Sequence, residues 1–283
     1  MRARGGRRLI GGVARRAAVA SLLLTASAGA VLAEFEIQES TIDPGEIQLQ
    51  YRGAWHSGLP RGTRVVDVDI LPDDEEAPLR QSHEFEIQMS PTSHWLLALT
   101  HAFDEPADGE FRLSAIEFES QIEIITLEGD GLGLAIQGGI EKPVFEAGDE
   151  EPPDFHFGPI LEVAQDKFLL TLNPLFFKEL GHLAEQEGWG FEYGWQAKYE
   201  LTERLSLALE MFGEIDDMSN AGPFDEQQHS IGPAFYYTIE FEEGDGITVP
   251  KSRELTLSLG GQFGLTSETS DFAVKVFIGY EYF

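Results

Sequence analysis

Between residues 188 and 214 the chain reads GWGFEYGWQAKYELTERLSLALEMFGE, and the pattern leaves few folds open. Trp189, Phe191, Tyr193, Trp195, Ala197 and Tyr199 alternate with Gly190, Glu192, Gly194, Gln196, Lys198 and Glu200. A period of two puts the two sets on opposite faces of a β-strand. After LTER the alternation resumes, with Leu205, Leu207, Leu209 and Met211 facing one way and Ser206, Ala208 and Glu210 the other. The stretch is an antiparallel hairpin with one broad apolar face. A soluble core would not cover so many large rings along one strand.

The same device recurs from Gly45 onward. Ile47, Leu49, Tyr51, Gly53 and Trp55 form one row, Phe85, Ile87 and Met89 another, and Ile116, Phe118, Ile122 and Ile124 a third. Leu132, Leu134, Ile136 and Ile140 follow, and WLLALTHAF from Trp95 reads as a strand of open phase. FHFGPILEV, FLLTLNPLFF, IGPAFYYTIEF, LTLSLGGQFGL and FAVKVFIGYEYF complete the set. The fold class expected is all-β, a single antiparallel transmembrane barrel of about 12 strands, in a range of about 10–14. The connections support it. Segments 91–94, 127–130, 164–167 and 201–204 are short, whereas 57–80, 141–154, 178–187 and 215–227 are long. Short periplasmic turns alternating with long outer loops are the pattern of outer-membrane barrels. Segment 242–253 is too long for its place in that alternation. The long loops carry acidic runs, PDDEEAP and EAGDEEPPD, which read as a solvated surface.

At the start, Arg2, Arg4, Arg7, Arg8, Arg15 and Arg16 precede an apolar run that closes on small residues at Val31-Leu32-Ala33. That is the layout of a cleaved secretory signal peptide over 1–33, leaving 34–283 as the barrel. The chain carries 19 Lys+Arg against 50 Asp+Glu, and six of those basic residues are the signal arginines. Nucleic acid is excluded as a partner by this balance. With no cysteine, an exported chain must draw its stability from a closed sheet.

Parity assigns Glu84, Glu86, Glu117, Glu119, Glu123, Glu162, Glu192, Glu210, Glu214 and Glu240 to the lumen, opposed chiefly by Arg52, Lys198 and Lys275. Carboxylates so numerous cannot all pair, and unpaired charge requires water. The expected function is a channel or transporter for a small solute, favouring cations or neutral molecules. The alternatives are a non-conducting structural or surface barrel and a lipid hydrolase. Trp55 and Trp189 near the outer rim, with Trp95, Tyr199, Tyr280 and Tyr282 near the inner one, form the expected aromatic girdles. Within one strand, Leu207→Arg is expected to hinder insertion and Ala208→Arg to be tolerated. Partners expected are outer-membrane lipid and lipopolysaccharide, the barrel insertion machinery and an unidentified small solute.

No catalytic, cofactor or metal residues are expected. Ser230 follows His229, but strand neighbours point to opposite faces and cannot form an activating hydrogen bond. The seven histidines are scattered without ligand spacing, although His56, His156 and His229 fall near the outer mouth. Gly158-Pro159 and Gly232-Pro233 interrupt two strands, and Pro174 a third, so a bulge or strand end is expected there.

The first strand DPGEIQLQYRGAW, the two GP strands and the ending GYEYF resemble the family of outer-membrane transporters associated with the meta-pathway of phenol degradation. The resemblance implies a transport role and names no solute. One departure stands at the C-terminus: Phe272, Val274, Val276, Ile278, Tyr280 and Tyr282 share a face that Phe283 does not.

Overall fold

The computed structural model describes residues 35–58, 79–106, 109–144, 152–182, 184, 188–241 and 253–282. The signal segment and its cleavage point, PDDEEAP, the first six residues of EAGDEEPPD and Phe283 lie outside them. Twelve antiparallel strands form one closed barrel. They are β1 (Ile47–Ser57), β2 (Leu79–Thr92), β3 (Trp95–Pro106), β4 (Arg112–Ile125), β5 (Gly131–Pro143) and β6 (Asp154–Gln165), followed by β7 (Phe168–Glu179), β8 (Gly190–Thr202), β9 (Leu205–Ile215), β10 (Gln228–Glu240), β11 (Arg253–Gly264) and β12 (Phe272–Tyr282). Each strand pairs with its sequence neighbours, and β1 closes the ring by pairing with β12 from Ile47↔Tyr282 to Ser57↔Phe272. Closure leaves no free sheet edge. No helix among the described residues is long and apolar enough to cross a membrane.

The barrel is inverted relative to a soluble domain. On β2, Phe85, Ile87 and Met89 are 52%, 46% and 50% exposed, while Glu84, Glu86 and Gln88 between them are each 4% exposed. On β3 the phase left open resolves with Leu96, Ala98, Thr100, Ala102 and Asp104 buried and Trp95, Leu97, Leu99, His101 and Phe103 turned outward. Outside, rings meet across strands: Phe157 on β6, Phe176 on β7 and Phe191 on β8 follow one another at centroid separations of 5.8 and 5.2 Å. Such contacts add to ladder stability and form a continuous apolar band.

The tight connections 93–94, 126–130, 166–167 and 203–204 gather at one end, the short-turn end, together with the long connection 241–252. The misfit seen in the sequence therefore lies in one connection and does not alter the strand number. The connections after β1, β3, β5, β7, β9 and β11 define the long-loop end.

The proline-bearing strands differ from expectation. β6 and β10 run straight through Pro159 and Pro233 with neither a bulge nor an end. Pairing between β6 and β7 stops after Phe157↔Phe176 and resumes at Leu161↔Leu172 in the same register. Between β10 and β11 it likewise passes from Ile231↔Phe263 to Ala234↔Gly260. Proline has no N–H to give, so the ladder opens locally without a shift. The preceding glycine is what lets the neighbouring backbone close in, since a Cβ at Gly158 would strike the Pro174 carbonyl and one at Gly232 the Gly261 carbonyl. The GP pair is thus one device used twice.

Ala208, where an arginine is expected to be tolerated, is 2% exposed and lies opposite Lys198 on β8 and Ala234 on β10. Ser206 faces the same way beside an open cavity and is the better inward position for a large side chain.

Candidate functional site: the lumen and its N-terminal segment

Residues Phe35–Glu46 lie inside the barrel, because strands from all around its wall reach them. Gln38 N–H donates to Asn173 Oδ1 on β7 at 2.8 Å, and Asn173 Nδ2 donates back to the Gln38 carbonyl at 3.0 Å. The Ser40 amide and hydroxyl both donate to Glu162 Oε2 on β6, at 2.9 and 2.5 Å. Gln121 Nε2 on β4 donates to the Glu39 carbonyl at 2.9 Å, and Lys275 Nζ on β12 to the Phe35 carbonyl at 3.1 Å. Phe35 stacks toward His56 at the long-loop end of β1, and Ile42 packs with Leu96 and Ala98 near the short turns. The segment then leaves the lumen by pairing with β2, Gly45 N–H to the Ser90 carbonyl and Ser90 N–H to the Glu46 carbonyl. It holds itself by polar bonds and a minimal apolar contact.

Each lumen cation is engaged. The register places Arg52 opposite Glu84 and Gln50 opposite Glu86. Arg52 donates through Nε to Glu84 Oε2 at 2.7 Å, through Nη2 to Glu86 Oε2 at 2.8 Å, and through Nη1 to Glu36 of the segment. A planar fork can serve three carboxylates in this way. Lys275 Nζ meets Glu210 Oε2 at 2.6 Å, and Glu210 also accepts from Tyr236 Oη at 2.5 Å and Gln196 Nε2 at 2.8 Å. Lys198 Nζ lies 3.3 Å from Glu39 Oε1. Glu123 pairs with His94 Nδ1 at 2.9 Å, and Glu162 is held by Ser40 and Thr171.

Of the residues singled out in the sequence, Glu84, Glu86, Glu117, Glu119, Glu123, Glu162, Glu210, Arg52 and Lys275 are buried within the wall's inner face. Glu192, Glu214 and Lys198 are half-buried, and Glu240 is exposed at the end of β10. Trp55 and Trp189 are exposed at the long-loop end, Trp95 and Tyr199 beside short turns, and Tyr280 and Tyr282 are half-buried near the short-turn end. His229 and Ser230 form no pair of the hydrolase kind. The His229 ring engages Tyr193 Oη through Nδ1 at 3.0 Å and Gln227 Oε1 through Nε2 at 3.0 Å.

The sequence reading missed the segment in the lumen. It named His156 near the outer mouth without its partners; the residue is fully buried on β6, with Nε2 2.9 Å from Glu119 Oε1 and 3.3 Å from Glu117 Oε1. Two cavities flank the segment, and Glu36 and Gln38 line both. The larger, about 290 Å³, is lined by Glu46, Gln48, Lys198, Tyr236, Glu254 and Glu281 among others. The smaller, about 30 Å³, lies between Glu117, Glu119, His156, Asn173 and Glu192. At the short-turn mouth, burial together with the negative charge of Asp43 pushes the Glu46 carboxyl up to about 7. At the long-loop end, burial and the neighbouring Glu268 raise Asp216.

Solved structures with a similar backbone include an outer membrane channel from Pseudomonas putida F1, at a TM-score of 0.48 and 10% identity over 89% of this chain and 98% of that one. The KdgM porin in complex with disordered oligogalacturonate matches at 0.46 and 7% identity, over 83% of this chain and 98% of that one. Outer membrane phospholipase A from Escherichia coli matches at 0.38 and 10% identity, over 87% of this chain and 99% of that one. No family model matches the chain, and no curated protein matches it. At these identities and scores the likeness is one of barrel architecture and goes no further.

Proposed function

We propose that the mature chain is an outer-membrane channel for small cationic or neutral solutes, narrowed at mid-lumen by its own N-terminal segment. The observation that carries this reading is the polar lumen itself. Its carboxylates outnumber Arg52, Lys198 and Lys275, and a cavity of about 290 Å³ runs beside a segment fixed mainly by hydrogen bonds. Charge that no cation neutralises favours hydration, and a hydrated acidic wall attracts cations. The apolar outer face fits hydrocarbon, the tight turns fit the periplasm, and lipopolysaccharide would surround the opposite rim. The resemblance of the DPGEIQLQYRGAW, GP and GYEYF stretches to the phenol meta-pathway transporters supports the same reading.

Reversal potential across a bilayer under a salt gradient tests the selectivity. A cation preference is expected, weakened at molar salt where the Debye length falls to about 3 Å. With divalent ions chelated, Glu117→Gln, Glu119→Gln and Glu192→Gln together should reduce the bias, since all three line the narrower cavity. Anion selectivity, or a potential unmoved by the triple change, would overturn the acidic-wall mechanism. The ion pairs that tie the segment to Arg52 and Lys198 favour a rival reading, a permanently plugged structural barrel. Silence in the bilayer would select it.

The membrane placement has its own test on β9. Leu209 is 44% exposed and stands deeper in the wall than Leu207, which pairs with the girdle residue Tyr199. Leu209→Arg should cost about 2–4 kcal/mol of folding into lipid, Leu207→Arg less, and Ser206→Arg little. Refolding into vesicles across a denaturant series measures this. Equal costs at Leu209 and Ser206 would reverse the assignment of the faces.

A further inference from the structure

Glu117 and Glu119 stand two residues apart on β4, so both side chains enter the lumen. The register carries His156 to the same height through one intermediate row, Glu119↔Gly139 and Gly139↔His156. Gly139 leaves the wall open there, and the imidazole lies across it. A Cβ at Gly139 would sit 2.7 Å from His156 Cε1 and 2.7 Å from Nε2. Nε2 thereby reaches Glu119 Oε1 at 2.9 Å and Glu117 Oε1 at 3.3 Å, with all three donor atoms within 4.8 Å of one another. The ring is fully buried, and its other nitrogen, Nδ1, has no hydrogen-bond partner among the described residues. The two carboxylates are therefore what hold His156 in place. The cavity of about 30 Å³ beside them has room for a single small species, and Gln137, Asn173 and Glu36 also line it.

We propose that Glu117, Glu119 and His156 form a binding site for one divalent first-row transition cation of the zinc class. Bonds of about 2.0–2.1 Å in a tetrahedron place donor atoms about 3.3 Å apart, close to the spacings already present. The imidazole selects against magnesium and calcium, which take oxygen ligands. Two carboxylates against one neutral imidazole supply the charge that a dication needs in a low-dielectric wall. The neutral imidazole ligates through Nε2 as the tautomer that carries its proton on Nδ1, so a proton on Nε2 moves to Nδ1, or leaves to solvent from a doubly protonated ring, before the lone pair bonds the metal. The side of the cavity formed by Glu36 and Gln38 belongs to the N-terminal segment, so a bound cation would touch both wall and segment. The site goes beyond the channel reading and can be measured whether or not the lumen conducts.

The test uses the mature chain, without a histidine tag, refolded in detergent, washed with chelator and titrated with Co²⁺. One equivalent should bind with a visible ligand-field band, displaced by Zn²⁺ and untouched by excess Mg²⁺ or Ca²⁺. Glu119→Gln and His156→Gln should each weaken Co²⁺ binding by at least about tenfold. Glu254→Gln, in the other cavity, should leave it unchanged. Absence of a stoichiometric band, displacement by Ca²⁺ alone, or a band that survives Glu119→Gln undiminished would overturn the assignment. Should His156→Gln fail to refold, the near-isosteric Glu119→Gln decides alone.

Discussion

Arg52→Met is expected to destabilise the barrel by about 3–5 kcal/mol, because it leaves buried carboxylates without their counter-charge. Arg52 is 7% exposed, and its guanidinium is shared by Glu84 and Glu86 from the wall and Glu36 from the segment. Removing it keeps the desolvation of three acids and deletes the attraction that offset it. Arg52→Lys should recover only part of the loss, since a compact ammonium cannot engage three partners in a fork. Combining Arg52→Met with Glu84→Gln and Glu86→Gln should restore most of it, because neutral amides carry no uncompensated charge. Equilibrium urea unfolding of the refolded protein in lipid reads the difference. A single variant within about 1 kcal/mol of the parent would mean that lumen water already screens these acids.

The barrel was legible because lipid on one side and polar lumen on the other impose a strict period of two on every strand. Phe85, Ile87 and Met89 against Glu84, Glu86 and Gln88 show it, and turn lengths did the rest. The segment was not legible for a different reason. Glu36, Gln38 and Ser40 form no periodic pattern with anything adjacent, and their partners lie between 16 and 135 residues away in sequence. A short polar stretch before the first strand looks the same whether it hangs free or enters the lumen. His156 stands between these cases. It belongs to a scattered set without ligand spacing, yet strand pairing is arithmetic once turns are placed. Following Glu119 to Gly139 and Gly139 to His156 would have brought the imidazole to the carboxylates. The proline strands misled in a different way, since a missing N–H was read as a break, whereas the preceding glycine preserves the register by admitting the neighbouring backbone.

A chain beginning at Pro44 should conduct severalfold more than the mature chain, and this is the largest functional effect expected. The segment 35–43 contributes Glu36, Ile37, Gln38, Glu39, Thr41 and Asp43 to the wall of the larger cavity, and Glu36 and Gln38 also border the smaller one. Removing it merges the two into one path. The strands do not depend on it for pairing, because β1 begins at Ile47 and is bonded on both sides by β2 and β12. Loss of Glu36 also frees part of Arg52, so the truncated lumen should be slightly less acidic as well as wider. Deletion alone would not distinguish a movable segment from a fixed one. A reversible lock does. Ser40 touches Gly133 on β5, where an added Cβ would meet the Ser40 hydroxyl, so Ser40→Cys with Gly133→Cys places two thiols within bonding reach. The chain has no cysteine to compete. If the segment shifts during conduction, the oxidised double variant should be nearly silent in single-channel recordings and regain openings when reduced. Equal conductance in both redox states would mean that ions pass beside a stationary segment, and unchanged conductance after truncation would mean that the barrier lies elsewhere in the barrel.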